Sequence, residues 1–182
     1  MLVKDLMSKP VVWCTPWDTA QTAARLMKAR DIGAIAVVAD TSDPLLEGIV
    51  TDRDLCWGVV ASEKDPEGII VADVMTPIPL TCAPEDTLDD CIALMQHSQV
   101  RRIPVVNDRG RCLGIVALGD IVLHVSTRQA AETIREISSP RKPHERMHFD
   151  KDFFYCGQPH EMDQILLLNR RRELARNSEV LT

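Results

Sequence analysis

The stretch Gly48-Ile49-Val50-Thr51-Asp52-Arg53-Asp54-Leu55 has the pattern of a buried strand that turns directly into a helix. Ile49 and Val50 favour a strand, and Thr51 is a residue type that commonly caps a helix. Asp54 then falls in the first helical turn, where backbone N–H groups point outward and the helix dipole is positive. The stretch returns as Gly114-Ile115-Val116-Ala117-Leu118-Gly119-Asp120-Ile121, and this repetition decides the fold.

The whole first part of the chain is an internal duplication. At an offset of 68 residues Met7 matches Met75, Cys14 matches Cys82, and Val37-Val38 matches Val105-Val106. Beyond that point the offset falls to 66, so the first copy carries two extra residues in the loop Thr41-Ser42-Asp43-Pro44. Surface loops tolerate such insertions. Two copies are too few for a solenoid and predict a pseudo-symmetric pair of units.

Composition narrows the function classes. The chain has 182 residues and a formal net charge of −6, which argues against non-specific nucleic-acid binding because that needs clustered positive charge. No apolar run approaches the roughly 18 residues of a membrane span, and the N-terminus does not resemble a signal peptide. The six cysteines form no C-x-x-C pair, so we expect reduced thiols and a cytoplasmic location.

Hydrophobic periodicity and turn residues predict a β-α-β-β-α order in each copy. Proline-bracketed runs at residues 11–14 and 80–82 favour a first strand, and the helices that follow reach about Arg30 and Ser98. Further helices are expected to start near Asp52 and Leu118, and the former ends near Val60. Residues 62–69 form a polar linker with Pro66 and Gly68. In the tail, a helix is predicted from residue 127 to about Ile137, and a last helix is predicted to start at Pro159.

The repeated unit, with its glycine, two apolar residues and Thr-x-x-Asp junction, resembles the CBS domain, named after cystathionine β-synthase. The segments Asp5-Leu6-Met7-Ser8, Asp73-Val74-Met75-Thr76 and Val100-Arg101-Arg102-Ile103-Pro104-Val105-Val106 carry the same resemblance. It covers about residues 1–126 and is greatest to stand-alone bacterial CBS domain-pair proteins. The resemblance implies an α/β (α+β) fold with two tandem CBS units in a pseudo-two-fold pair, plus a C-terminal helical tail. The expected division is 1–61 for the first repeat, 62–69 for the linker, 70–126 for the second repeat and 127–182 for the tail.

The same resemblance implies a function. CBS pairs bind adenosine ligands, such as AMP, ADP, ATP, NAD or S-adenosylmethionine, in the clefts between repeats, and they dimerise head to head into a flat disc. We therefore expect a regulatory ligand-sensing module and not an enzyme, with an adenosine nucleotide as regulatory ligand and no required cofactor. The repeats carry no Ser/His/Asp or Cys/His arrangement and no Walker-type glycine loop. The regulated protein partner is not specified by the sequence, and neither nucleic acid nor membrane is an expected partner.

The resemblance places a carboxylate at Asp54 and at Asp120, where each would accept hydrogen bonds from both ribose hydroxyls. A phosphate prefers helix N-terminal N–H groups with an arginine, which favours Arg53 in the first copy. By resemblance each cleft also borrows from the other repeat, so that Thr15 and Ala20 face Asp120 while Ala83 and Leu88 face Asp54. The full set of expected ligand-binding residues is Thr15, Ala20, Gly33, Ala34, Ile49, Thr51, Arg53, Asp54, Ala83, Leu88, Arg101, Arg102, Ile115, Gly119 and Asp120.

An asymmetry between the clefts is expected from two arginines. Arg101 and Arg102 precede the strand that would floor the Asp120 cleft, and strand alternation points one of them inward. The corresponding residues in the first copy are Gly33 and Ala34. We therefore expect the Asp120 cleft to favour phosphorylated adenosine.

Other interpretations of these residues remain open. Thr51-x-x-Asp54 is also the pattern of a simple capping box, although Ala117 removes the hydroxyl in the second copy while Asp120 persists. An interaction subunit with empty clefts is a second possibility. A metal or redox protein is a third, since His144, His148, Cys156 and His160 in the tail are zinc-ligating types, although their spacing matches no zinc motif.

Assembly is predicted from apolar stripes on the helices. The first copy presents Ala20, Ala23, Ala24 and Met27, and the second presents Ile92, Leu94 and Met95. A lone pair of units is not expected to cover both stripes, and contiguous apolar patches usually mark interfaces. We therefore expect a homodimer, with the tail packed on the body or on the mate.

Overall fold

The computed structural model describes residues 1–140, and the rest of the tail, including its His/Cys group, lies outside the described residues. The described part contains six α-helices and six strands. The helices are α1 (Val3–Leu6), α2 (Ala20–Arg30), α3 (Asp52–Leu55), α4 (Leu88–Ser98), α5 (Leu118–Val122) and α6 (Thr127–Ser138). The strands are β1 (Trp13–Cys14), β2 (Ala34–Val38), β3 (Leu46–Thr51), β4 (Thr76–Pro77), β5 (Arg102–Val106) and β6 (Cys112–Ala117). This mixture confirms the α+β class.

The two copies build two sheets of unequal size. The first sheet has the order β1-β2-β3-β4, with β1 parallel to β2 and the other neighbours antiparallel. The second consists of the antiparallel pair β5-β6. The strand expected at residues 80–82 is reduced to a single bridge between Cys82 and Val105. Prolines at 77, 79 and 84 remove backbone donors on both sides, so a longer ladder cannot form there.

Each repeat is completed by the segment that precedes the other one. Val3 N–H donates to Asp86 C=O at 2.9 Å, and its counterpart Val71 donates to Asp18 C=O at 2.8 Å. Val3 and Met7 are consequently buried in the core of the second repeat, whereas Val71 lies in the core of the first. The chain is thus two interlocked units rather than two successive ones.

Two glycines permit this interlocking. A Cβ added to Gly114 in β6 would lie 2.8–2.9 Å from three side-chain atoms of Met7, and one added to Gly48 in β3 would lie 2.7 Å from Met75 Sδ. Both distances are shorter than real contacts allow, so only glycine lets these methionines cross the strands. The sheets also meet directly, through a small buried cluster of Ala36, Val38, Cys112 and Ile115.

The helix that carries Asp54 changes character after one turn. α3 passes directly into a π-helical turn, Cys56–Val60. Together, α3 and this turn span the helix expected from Asp52 to about Val60. A short 3₁₀ turn, Val71–Asp73, leads into the second repeat. None of the helices in residues 1–140 is both long and apolar enough to cross a bilayer.

α6 corrects the expectation that both helix stripes are open. It packs against α4 and α5, and its Ile137 is 5% exposed within the second core. Ile92 and Met95 of α4 are therefore buried, at 5% and 0% exposure. Ala23 in the first repeat is also fully buried, while Ala24 remains exposed. The corresponding helix of the first repeat, α2, therefore keeps Ala24 open to solvent, whereas Ile92 at the matching position of α4 is covered.

Candidate functional site

Asp54 is held by a reciprocal capping box at the end of β3. Its Oδ2 accepts from Thr51 N–H at 2.8 Å and from Thr51 Oγ1 at 2.7 Å, and Asp54 N–H donates back to Thr51 Oγ1 at 3.3 Å. Within residues 1–140, both hydrogen bonds described for this carboxylate are accepted by Oδ2. The capping interpretation is confirmed. The cap uses Oδ2 of the carboxylate and leaves Oδ1 for a ligand hydroxyl.

Asp120 has the same position with fewer bonds. Its Oδ2 accepts from Ala117 N–H at 3.1 Å, and the Ala117 methyl supplies no second donor. The backbone before the helix is nearly the same in both copies, with φ/ψ of −117/164° at Thr51 and −106/151° at Ala117. A Cβ at Gly119 would meet nothing within 4 Å, so this helix start faces open space. The Asp120 carboxylate is less satisfied than that of Asp54.

Arg102 reaches the first repeat, which the sequence did not predict. Its guanidinium Nη2 lies 2.5 Å from the point where a Gly33 Cβ would stand, and Asp52 Oδ2 lies 2.8 Å from that same point. Asp52 N–H in turn donates to Gly33 C=O at 3.2 Å, at the start of the helix that carries Asp54. The half-buried Arg102 side chain therefore lies beside Gly33 and Asp52 of the first repeat, and its assignment to the Asp120 cleft stays a prediction.

Arg101 and Arg53 have other surroundings. Arg101 is exposed, and its carbonyl accepts from Leu118 N–H at 2.8 Å, as Gly33 does for Asp52. The Arg53 guanidinium lies 5.4 Å from the ring centroid of Trp57, one helical turn further on. Arg53 therefore stacks on an exposed ring, and the structure does not bring it beside the Asp54 carboxylate.

Thr15 and Ala83 lie in matching turns before α2 and α4. Asp18 Oδ2 accepts from Thr15 N–H at 2.6 Å and from Thr15 Oγ1 at 2.9 Å, while Asp86 Oδ2 accepts from Ala83 N–H at 2.8 Å. Asp18 and Asp86 therefore fix these turns, while the caps of α2 and α4 are Thr19 and Thr87. The useful signal was the same three-residue spacing between Thr15 or Ala83 and its aspartate.

Two of the expected ligand-binding residues are core residues of their own repeat. Ala20 is 2% exposed and packs in the first core with Leu55, and Leu88 is 7% exposed and packs in the second core with Ile121. Both side chains lie there because a helix buries its inward stripe against its own sheet, and their place opposite Asp120 and Asp54 stays a prediction. Of the remaining expected residues, Ala34, Ile49 and Ile115 are buried strand positions.

Neither the pKa values of the buried thiols nor the metal-ligating side chains of residues 1–140 indicate a further chemical function for this site. Burial raises the pKa of the Cys14 thiol to about 12 and that of Cys112 to about 11, so both are protonated at neutral pH. No group of three or more His, Cys, Asp or Glu side chains within residues 1–140 is arranged to hold a metal ion.

Sequence comparison finds the CBS domain twice, at residues 3–70 and 71–127. Two Bacillus subtilis proteins are similar over most of the chain. The uncharacterized protein YlbB is 39% identical over 71% of this chain and 85% of its own length, and the CBS domain-containing protein YhcV is 36% identical over 80% and 98%.

Solved structures of CBS pairs share the fold. The CBS domain pair of MJ0100 in complex with 5′-methylthioadenosine and S-adenosyl-L-methionine has a TM-score of 0.61 and 28% identity, covering 68% of this chain and 98% of its own. CBSX2 in complex with AMP has a TM-score of 0.56 and 26% identity, covering 74% and 98%.

Proposed function

The chain belongs to the CBS domain family, and we propose that it is a regulatory module whose clefts bind adenosine-containing ligands, with the ribose held by Asp54 in one cleft and by Asp120 in the other. The observation that carries the proposal is the pair of helix-start aspartates. Each uses Oδ2 to accept from the backbone N–H three residues earlier, and the bonds described for the two carboxylates within residues 1–140 all involve Oδ2. Support also comes from the two similar structures, which contain AMP in one case and methylthioadenosine with S-adenosylmethionine in the other.

The chemistry of a ribose matches this carboxylate. Two adjacent hydroxyls are two donors at fixed spacing, and an ionised carboxylate is an acceptor only. A hydrogen bond to an ionised group is about twice as strong as a neutral one. Because Asp120 has one protein donor where Asp54 has two, more of its acceptor capacity remains for the ligand.

The phosphorylated ligand is assigned to the Asp54 cleft, which reverses the preference expected from the sequence. Arg102 comes from the second repeat and stands at the start of the helix that carries Asp54, where Gly33 leaves room for it. Arginine binds phosphate oxygens in a bidentate way, and helix N-terminal N–H groups favour anions. The Asp120 cleft, with the open space around Gly119, suits ligands whose 5′ substituent is uncharged or cationic.

The module acts without catalysis in this proposal and works as a homodimer. Binding at a cleft built by both repeats changes the equilibrium between their arrangements, which is the means by which a ligand can affect an attached or associated protein.

Calorimetric titration of the full chain tests the ribose role. Asp120→Ala and Asp54→Ala are each expected to lose one class of site, with affinity for its adenosine ligand falling about 10- to 100-fold through loss of a charged hydrogen-bond acceptor. Asp108→Ala is the matched control, because Asp108 is an exposed aspartate in the turn before β6. Wild-type affinity in both variants would remove the proposed role. A wild-type protein that shows no thermal shift with any adenosine compound would instead favour an interaction subunit with empty clefts.

A further inference from the structure

Two cysteines of the second repeat lie side by side in its core. Cys82 and Cys91 are both fully buried in the same cluster, and their thiols are hydrogen-bonded to each other. Cys82 forms the bridge to Val105, and Cys91 lies near the start of α4. Sulfur atoms in hydrogen-bond contact are within reach of disulfide formation, which needs Cβ atoms about 3.5–4.5 Å apart.

The first repeat has only one thiol at the matching place. At the offset of 68 residues Cys14 matches Cys82, whereas Ala23 matches Cys91. Cys14 and Ala23 are both buried in the first core, so the two positions have the same surroundings in each repeat. Since an alanine fills this place in the first core, packing alone does not require the second thiol of the pair.

The segment that carries Cys82 is attached to its sheet by few bonds. Cys82 N–H donates to Pro104 C=O at 3.1 Å, and Val106 N–H donates to Cys82 C=O at 2.9 Å. Ile78, four residues earlier, is 93% exposed and has a φ of 47°. Segments held by so few ladder bonds open more readily than the body of a sheet. Such opening gives a small oxidant access to thiols that are buried in the closed state.

We propose that Cys82 and Cys91 form a redox switch in the second repeat, which hydrogen peroxide closes into a disulfide and a thiol reductant reopens. The Cys91 thiolate attacks one peroxide oxygen, the O–O bond breaks, and the hydroxide that leaves takes up the proton that Cys91 had released. The Cys82 thiol then attacks the Cys91 sulfenic sulfur, so that the S–S bond forms and the hydroxyl leaves as water with the Cys82 proton. The two thiols thus lose two electrons, and the peroxide becomes two waters.

Cys91 is the better attacking sulfur of the pair. Its hydrogen bond with Cys82 lowers the pKa of the Cys91 thiol, whereas burial and the charge of Asp86 act in the opposite direction. A thiolate, and not a thiol, is the nucleophile in such a reaction.

The disulfide would fix the turn between Cys82 and α4. In this turn Asp86 C=O accepts from Val3 N–H at 2.9 Å, and Pro84 C=O accepts from Lys4 N–H at 3.0 Å. The turn therefore holds α1, the segment that completes the second repeat. Because a cross-link restricts the opening of the loop that it closes, oxidation should hold α1 more firmly.

Mass spectrometry of the full chain, reduced and then treated with hydrogen peroxide, tests the linkage. After the remaining thiols are alkylated in denaturant, the wild type should show a loss of about 2 Da that maps to a Cys82–Cys91 cross-link and is reversed by dithiothreitol. Cys91→Ala is the matched variant, because Ala23 shows that this core position accepts alanine, and it should remain folded without the cross-link. Cys14→Ala should keep the cross-link, and the exposed Cys56 reports that the oxidant was active.

Hydrogen exchange of the same samples tests the switch. Oxidation should slow exchange at the Val3 and Lys4 amides about tenfold and leave the matching Val71 and Ala72 amides of the first repeat unchanged. Peroxide should change none of these amides in Cys91→Ala. Alkylation of both Cys82 and Cys91 after peroxide has oxidised Cys56, or a cross-link that leaves Val3 and Lys4 unchanged, would overturn the proposal. The inference does not depend on the proposed ligand, since no adenosine compound is present in either measurement.

Discussion

The first repeat has Thr51 in front of Asp54 and an open helix face, whereas the second has Ala117 in front of Asp120 and a face covered by α6. The backbone at the two helix starts nevertheless agrees within about 15° in φ and ψ. The retained part is the strand-to-helix turn and its carboxylate. The parts that differ are the capping side chain before the aspartate and the helix α6 that covers the second repeat.

The two repeats also differ in what stabilises them. A missing capping hydroxyl costs a helix about 0.5–2 kcal/mol, which the second repeat can offset by the apolar surface that α6 buries. The second repeat thus combines the covering helix α6 with the less satisfied carboxylate. The first repeat keeps its own cap, and its helix α2 keeps Ala24 exposed.

The largest expected effect comes from α6. Ile137→Ala should lower the free energy of unfolding by about 2–5 kcal/mol, because it removes a core side chain that has no counterpart in the first repeat. Ile134→Ala on the same helix is the control, since Ile134 is 44% exposed and its loss should change stability by about 0.5 kcal/mol or less. Urea unfolding measures both values. Hydrogen exchange should rise in α4 more than in α2, and equal effects of the two variants would contradict the assignment of α6 to the second repeat.

Much of this arrangement was readable from the residues. Patterns that act over a few residues predict the order of strands and helices in each copy, the helix ends near Arg30 and Ser98, and the Thr51–Asp54 box. α2 and α4 end where the periodicity ends, at left-handed residues Asp31 and Gln99. Local chemistry decides such features, so the sequence alone was sufficient.

The sequence does not predict which repeat each of the exchanged segments packs against. Val3 and Val71 have the same surroundings in sequence, so no periodicity tells which repeat each completes, and the exchanged segments are these and not Ala20 or Leu88. The contact of Arg102 with the first repeat was not predicted for the same reason. Strand alternation fixes the face on which a side chain lies, but the pseudo-two-fold packing decides which cleft that face borders. The sequence feature that could have indicated this contact is Gly33, because a glycine has no side chain and leaves the space that the Arg102 guanidinium occupies.

A second, smaller effect tests the two clefts against each other. In an Asp120→Ala background, Arg102→Ala should weaken AMP binding by about 1.5–3 kcal/mol while leaving adenosine unchanged, because only the phosphate loses a charged partner. Arg101→Ala is the matched control and should change neither ligand. Raising the salt concentration should reduce the AMP affinity of the parent more than that of the Arg102 variant. Equal losses for AMP and adenosine would show that Arg102 supports the cleft without meeting the phosphate.

The smallest effect concerns two matching cysteines. Cys14 in the first repeat is buried, and burial, followed by the nearby Asp18 charge, raises the pKa of its thiol from 9.0 to about 12. Its counterpart Cys82 lies beside Cys91, and the hydrogen bond between them lowers the pKa of Cys91. The two repeats should therefore respond differently to alkaline pH, although both keep these thiols inside their cores.

The sign follows from proton binding. Between the unfolded pKa near 9 and the folded pKa near 12, the native state holds the Cys14 proton and the unfolded state releases it. The free energy of unfolding therefore keeps the full contribution of this thiol below pH 9 and decreases as the pH rises above 9. At pH 9.5 the loss from this thiol should be about 0.8 kcal/mol relative to neutral pH. Cys14→Ala should remove that part of the loss, measured by urea unfolding at both pH values, while Cys91→Ala should leave it in place. An unchanged pH dependence in Cys14→Ala would mean that other groups in the first repeat release their protons on unfolding, and the contrast between the two cores would then have to rest on α6 alone.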